Sequence, residues 1–205
     1  MATSPRILKS AGPLFRYNLD YWKSGSVRMP ETMTMDLASV VKTLETGGLE
    51  PDSDALLQVA RMIAKLFAVD ADEVAILKVV PKFKSLKFIL PERLALVGTI
   101  PLSSATALAA RTARERRAEV VNNFSTARHA NVFEAVPLGR DSSELIQKIM
   151  SAPILDGTQV QGVVQISRKA ATLSDAGADF SQKDLRTLVS LSPLLERFLK
   201  LCRAE

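Results

Sequence analysis

The sequence predicts an α+β fold: a central, mostly antiparallel sheet flanked by helices, with the terminal helices packed on one face. Three observations carry this expectation. The strand-like runs come in adjacent pairs, at 74–80 with 86–90 and at 146–154 with 159–168, which favours antiparallel pairing. Helical periodicity appears at both ends of the chain, at 35–46, 53–67 and 181–198. Between the strand pairs lies an Ala-rich segment that follows Ser103-Ser104.

Taken in order, residues 1–33 hold Pro5, Gly12, Pro13, Gly25 and Pro30 and read as irregular. The only tryptophan, Trp22, and both tyrosines, Tyr17 and Tyr21, fall here, and rings of that size need something to pack on. The arm is therefore expected to dock on its own domain or on a partner chain. A helix follows over Met35–Thr46, with Leu37, Val40, Val41 and Leu44 at helical spacing and Gly47-Gly48 as its stop. Ser53 is a candidate N-cap for a second helix to Phe67. Leu56, Ala60, Ile63 and Phe67 form its main stripe, and Leu57, Val59, Met62 and Leu66 widen it. A helix apolar on several faces is buried on several sides, which suggests a subunit interface.

Val74–Val80 is a β-branched run closed by Pro81, and Leu86–Leu90 returns after a turn at Lys82–Ser85. Leu94–Leu102 is the third strand candidate. Ser103 or Ser104 then caps a helix through Ala105, Leu108, Ala109 and Thr112. Residues 124–143 read as a long polar loop with one short helix; loops of that length usually carry function. Leu145–Ile154 fits helix or strand by pattern alone, whereas Gln159–Arg168 alternates as a strand. Ser181-x-x-Asp184 is a capping box for a last helix bearing Leu185, Leu188, Leu191, Leu195 and Phe198. Pro193 should kink or restart it, with Ser192 as the new cap.

Bulk properties bound the function. The chain has 205 residues, a net charge of +5 and one cysteine, Cys202, so no intrachain disulfide can form. No apolar run reaches the ~18 residues of a membrane span, and Arg6 and Lys9 are not followed by a signal-peptide core. A cytoplasmic protein with no membrane partner is expected. Positive charge gathers in residues 1–30, where Arg6, Lys9, Arg16, Lys23 and Arg28 face Asp20 alone, and again at Arg111, Arg114, Arg116 and Arg117. Such clusters can attract nucleic acid, but no helix-turn-helix, zinc-finger or aromatic RNA-binding pattern accompanies them. Nucleic acid is not the expected partner.

The segment Gly98-Thr99-Ile100-Pro101-Leu102-Ser103-Ser104, the Ala-rich stretch to Arg117 and Val120-Val121-Asn122-Asn123 together resemble the middle of a GAF domain. Ile154 to Arg168 resembles its terminal hairpin, which reads Ile146–Ile154 as a strand, and Phe180-Ser181-Gln182-Lys183-Asp184-Leu185 resembles the entry to its last helix. The resemblance spans roughly 51–201. It implies a domain at 51–205 preceded by an extension at 1–50. The cyclic-nucleotide subset carries N-K…F-x-x-x-D-E. Here the positions are Ser167, Arg168, Phe180, Asp184 and Leu185, so Asn and Glu are missing and Arg168 is left to pair with Asp184.

No catalytic constellation emerges. Free methionine sulfoxide reductases and bilin-binding members of the family need a pocket cysteine, and Cys202 lies three residues from the end. His129 is the only histidine, no metal-ligand spacing is present, and Gly47-Gly48 lacks the lysine of a phosphate loop. The resemblance places a ligand beside the loop after the third strand, which nominates Asn123, Ser125, Arg128, His129 and Phe133. Arg128 suits an anion by bidentate pairing. The cofactor is unknown. The expected function is a non-catalytic sensory or regulatory module, homodimeric, binding a small molecule and acting on an unidentified signalling protein. The alternative is a degenerate GAF scaffold for dimerisation, its pocket filled by Phe88, Phe124 and Phe133.

Overall fold

Amphipathic helices at the two ends of the chain and a long hairpin near its end dictate the architecture. The computed structural model describes residues 31–48, 50–124 and 145–203. Helices α1 (Glu31–Gly47), α2 (Ser53–Phe67), α4 (Gln182–Ser190) and α5 (Ser192–Leu201) lie on one face of a six-stranded sheet. Helix α3 (Leu108–Glu115) lies on the other. The strands are β1 (Val74–Val80), β2 (Ser85–Leu90), β3 (Thr99–Pro101), β4 (Glu119–Val121), β5 (Leu145–Asp156) and β6 (Gln159–Ala170). They run in the order β3-β2-β1-β6-β5-β4, and every neighbouring pair is antiparallel.

Period-two alternation sorts the strands onto these faces. Val74 and Ile76 of β1, Met150, Ala152 and Ile154 of β5, and Val164 and Ile166 of β6 meet the four helices in the main core. Leu77, Leu86, Phe88, Ile100 and Val163 meet Ala109, Ala110 and Ala113 of α3 in a second core. Alanines on α3 let its backbone lie close to the sheet.

The many-sided apolarity of α2 has an intramolecular reason. Its Val59, Ala60, Ile63, Ala64 and Phe67 face the sheet core, while α1 covers α2 and α5 with Leu37 and Val41, both fully buried in the same cluster. The last turn of α1 and the middle of α5 are joined by the Arg197–Glu45 ion pair, whose hydrogen bonds hold the Glu45 carboxyl below its usual range.

Several sequence expectations need correction. The cap of α2 is Asp52, whose carboxylate accepts from Ala55 N at 2.9 Å, and not Ser53. The expected strand Leu94–Leu102 is a 3-10 turn at Glu92–Leu96 followed by a strand of only three residues. Leu94 turns into the α3-side core, and Gly98 at φ 130° ends the turn with a backbone that other residues resist. Neither Ser103 nor Ser104 caps α3: Ser104 Oγ accepts from Ala107 N at 3.1 Å, and the helix starts only at Leu108. Ser181 and Asp184 do form the capping box, and the last helix does restart, beginning at Ser192 with Pro193 in its first turn. The cap of that restart is Leu191, because the Ser192 hydroxyl is spent on Leu155 N at 3.0 Å. The ambiguous stretch from Leu145 is a strand through Asp156. The docking of residues 1–30 and, beyond Phe124, the loop expected over 124–143 lie outside the described residues.

Gly162 of β6 lies close against β1 and α5. A Cβ there would collide with the carbonyl oxygen of Leu77 and sit 2.6 Å from Leu199 Cδ1. Gly162→Ala should therefore cost about 2 kcal/mol and lower the melting temperature by on the order of 5 °C. Calorimetry of the two proteins checks this.

Candidate functional site

A single cross-strand row on the α3 face carries polar residues where apolar ones would be expected. Glu119 of β4 pairs with Ser151 of β5, which pairs with Gln165 of β6, which pairs with Ala75 of β1. All three polar members are buried. Burial of such groups is tolerated only when they are hydrogen-bonded, and α3 supplies the partners. Arg111 grips Glu119 with two bonds, Nε to Oε1 at 3.0 Å and Nη2 to Oε2 at 2.8 Å. The Thr112 hydroxyl meets Ser151 Oγ at 2.7 Å, and Gln165 Nε2 donates to the same Ser151 Oγ at 3.3 Å.

The row ends at a cleft. Its walls are apolar, formed by Ala75, Phe88, Pro91, Leu94, Ile146 and Ile149, and its polar lining is Asp72, Glu73, Gln165 and Ser167. The volume in which the centre of a water molecule could move is about 20 Å³, room for one or two waters.

A latch of charged groups fixes one rim. Glu73 accepts from Asp70 N at 3.0 Å and Lys169 N at 2.5 Å, and its carbonyl accepts from Ser167 Oγ at 3.1 Å. Burial nevertheless pushes its carboxyl above the usual range. Burial opposes ionisation of Asp72 too, but hydrogen bonds from Lys169 at 3.0 Å and Arg93 at 3.2 Å outweigh it and hold that carboxyl low. The two groups then act on stability in opposite senses. The contribution of Asp72 is present above its ordinary value of 3.8 and fades as pH falls below it; that of Glu73 is present below 4.5 and fades as pH rises past it.

Of the residues nominated from sequence, Asn123 is exposed just after β4. Ser125, Arg128, His129 and Phe133 lie outside the described residues. Phe88 and Phe124 are buried, Phe124 against Leu108, Val121 and Ile149. Asn122 is committed to structure: its side chain donates to Phe180 O at 3.0 Å and accepts from Phe180 N at 2.9 Å. The expected Arg168–Asp184 pair does not form. Arg168 instead donates to Phe67 O and Ala68 O at the end of α2 and stacks 4.8 Å from the Phe180 ring centre, while Asp184 is occupied in the capping box. Sequence reasoning missed Glu119, Ser151, Gln165 and Glu73. Their signal was present, since Gln165 and Ser167 share a strand face with Val163, but it needed the register to be seen.

Among solved structures, the GAF domain of an Acinetobacter phosphoenolpyruvate-protein phosphotransferase aligns at 17% identity over 84% of this chain and 95% of that one, with a TM-score of 0.59. The GAF domain of a phosphoenolpyruvate-protein phosphotransferase from Coxiella burnetii aligns at 10% identity, 81% and 94% coverage and 0.57. Free methionine-R-sulfoxide reductase from Neisseria meningitidis, solved with its substrate, aligns at 12% identity, 86% and 93% coverage and 0.55. No protein-family model matches the sequence, and no curated protein matches it. At these identities the likeness establishes the fold: this chain has the GAF fold.

Removing the buried Glu119 carboxylate would break the two-bond grip by which Arg111 seats α3 on β4. Glu119→Ala should cost roughly 3 kcal/mol, read as a lower urea midpoint.

Proposed function

We propose that this protein is a non-catalytic regulatory module of GAF type that responds to a small molecule on the α3 face. The observation supporting this reading is the cleft itself, an apolar box with a few polar groups converging on it, as small-molecule sites require. Asn123, Ser125, Arg128, His129 and Phe133 belong to the proposal as further ligand contacts. The segment that contains the last four leaves β4 and returns to β5, the strand whose Ile146 and Ile149 line the cleft.

The scaffold reading is favoured by one observation: Phe88 and Phe124 are buried on this face, and the cleft beside them has room for only one or two waters. Self-association through the helical layer draws less support, because α1 already covers the apolar face of α2 that suggested it. The proposed compartment is the cytoplasm.

Absence of thiol catalysis is part of the proposal. Cys202 is buried at the end of α5, among the residues of the helical face, and burial pushes its thiol up to about 12. The thiolate that reductase chemistry needs would be on the order of 1 in 10,000 at pH 8. The native protein should resist a disulfide reagent at pH 8 and react fully once unfolded; rapid native labelling would oppose the proposal.

A thermal-shift panel of nucleotides, amino acids and tetrapyrroles tests ligand binding. A true ligand at 100 times its dissociation constant should add about 2.7 kcal/mol of stability. Silence across the panel would favour the scaffold.

A further inference from the structure

Positive charge is gathered in one half of the sheet. Residues 74–114, from β1 into α3, hold seven lysines and arginines against Glu92 alone, a larger positive excess than the +5 of the whole chain. Arg93 and Arg111 are answered by Asp72 and Glu119, and Lys78 is spent on the carbonyls that end α5. Lys82 and Lys84 stand in the turn between β1 and β2, where Pro81, Lys82, Phe83 and Lys84 are all exposed. Among the described residues no carboxylate pairs with either lysine. Leu102 N donates to Lys84 O at 2.9 Å, and Arg114 Nη1 donates to Leu102 O and Ser104 O. A third exposed cation therefore stands beside the turn.

The same half carries apolar side chains with little over them. Phe83 is 60% exposed, Leu96 92% and Val97 47%. Phe83 is presented by a closed 3-10 turn, with Pro81 at its start and Lys84 N donating to Pro81 O at 3.1 Å. Lys84 lies at φ 48°, where glycine would be at ease, and lysine there sets a second charge next to the ring. Leu96 and Val97 stand at the opposite end of the β2–β3 pair, on the order of 15 Å along the strands.

These features select the partner. Edge strand β3 has only three residues and its Pro101 offers no N–H, which disfavours addition of another strand. A nucleic-acid strand would stack bases on Phe83, but Lys82 Nζ already sits over that ring, 5.5 Å from its centre. A protein partner would have to supply one pocket for the turn and another for two side chains at the far end of the strands. A bilayer offers hydrocarbon wherever a side chain reaches it, with anionic headgroups around. That matches an aromatic ring held between two lysines.

We propose that the Lys82-Phe83-Lys84 turn, with Arg114 beside it and Leu96 and Val97 along the β3 edge, seats the protein on the anionic face of a lipid bilayer. The expectation of no membrane partner rested on the lack of a spanning run, whereas contact with one leaflet needs none. Among the described residues no helix is long and apolar enough to cross. This surface shares no residue with the lining of the cleft.

The full chain is mixed with vesicles of phosphatidylcholine, alone or with about 30% phosphatidylserine, and the bound fraction is read by sedimentation. The expected result is association with the anionic vesicles only, reduced by added salt. Each lysine near such a surface is worth about fivefold in partitioning, so Lys82→Glu combined with Lys84→Glu should weaken binding at least about tenfold. Phe83→Ser, which leaves every charge in place, should weaken it several-fold, and Leu96→Ser gives a second apolar reading should Phe83→Ser not fold. The proposal is overturned by no binding to anionic vesicles, or by binding unchanged in all these variants, which would assign it to the cations of residues 1–30. Loss in the charge variant alone, with both apolar variants unaffected, overturns it as plain charge attraction. Binding to single-stranded oligothymidine that Phe83→Ser abolishes, with the vesicles left unbound, overturns it in favour of nucleic acid.

Discussion

The pairing of β1 with β6 is the constraint on which the rest of the structure depends. Val74–Lys78 and Gly162–Ile166 come from distant parts of the chain and join two local assemblies, the β1-β2-β3 meander and the β4-β5-β6 group, into one sheet. Each half alone would expose a sheet edge and half a core. At this seam the backbone of β6 comes so close to β1 that only glycine fits at 162, and the same glycine admits Leu199 of α5. Lys78 completes the join by donating to Leu199 O at 2.9 Å and Cys202 O at 2.6 Å, which ties the end of the last helix to the middle strand.

The seam also divides the molecule into two unlike faces. The helical face is a deep apolar core to which four helices contribute, and its stability is the ordinary consequence of burying hydrocarbon. The α3 face is thinner and carries the Glu119–Ser151–Gln165 row. A one-residue slip of β5 on β6 would turn these polar groups into the helical core and the apolar ones out. The row therefore helps to specify the register as well as the seating of α3. Groups able to do this with apolar side chains would serve stability as well, and the polar choice makes chemical sense where the row opens into the cleft.

Much of the fold was legible because local pattern and tertiary need agreed. Helix α2 and strand β1 have the boundaries that their periodicity implies, and Ser181 with Asp184 is a cap wherever the helix sits. Where they disagreed, tertiary context prevailed. The apolar run from Leu94 looks like a strand, but Leu94 is needed in the α3-side core and Gly98 lets the chain turn away. Ser53, Ser104 and Ser192 all look like caps, yet Ser53 bonds to Glu92, Ser104 closes a turn before α3, and Ser192 serves a neighbouring strand. The site was legible only by face. The α3 side could be inferred from the family resemblance, whereas the polar row exists only once four strands are in register, and no single stretch of sequence contains it.

Amide hydrogen exchange with and without a ligand found by titration tests the central claim that the α3 face is the responsive one. The account predicts added protection at 72–75, 146–149 and 165–167, with α1 and α5 changed little. Protection concentrated in α1, α2 and α5, with the cleft strands unaffected, would contradict it.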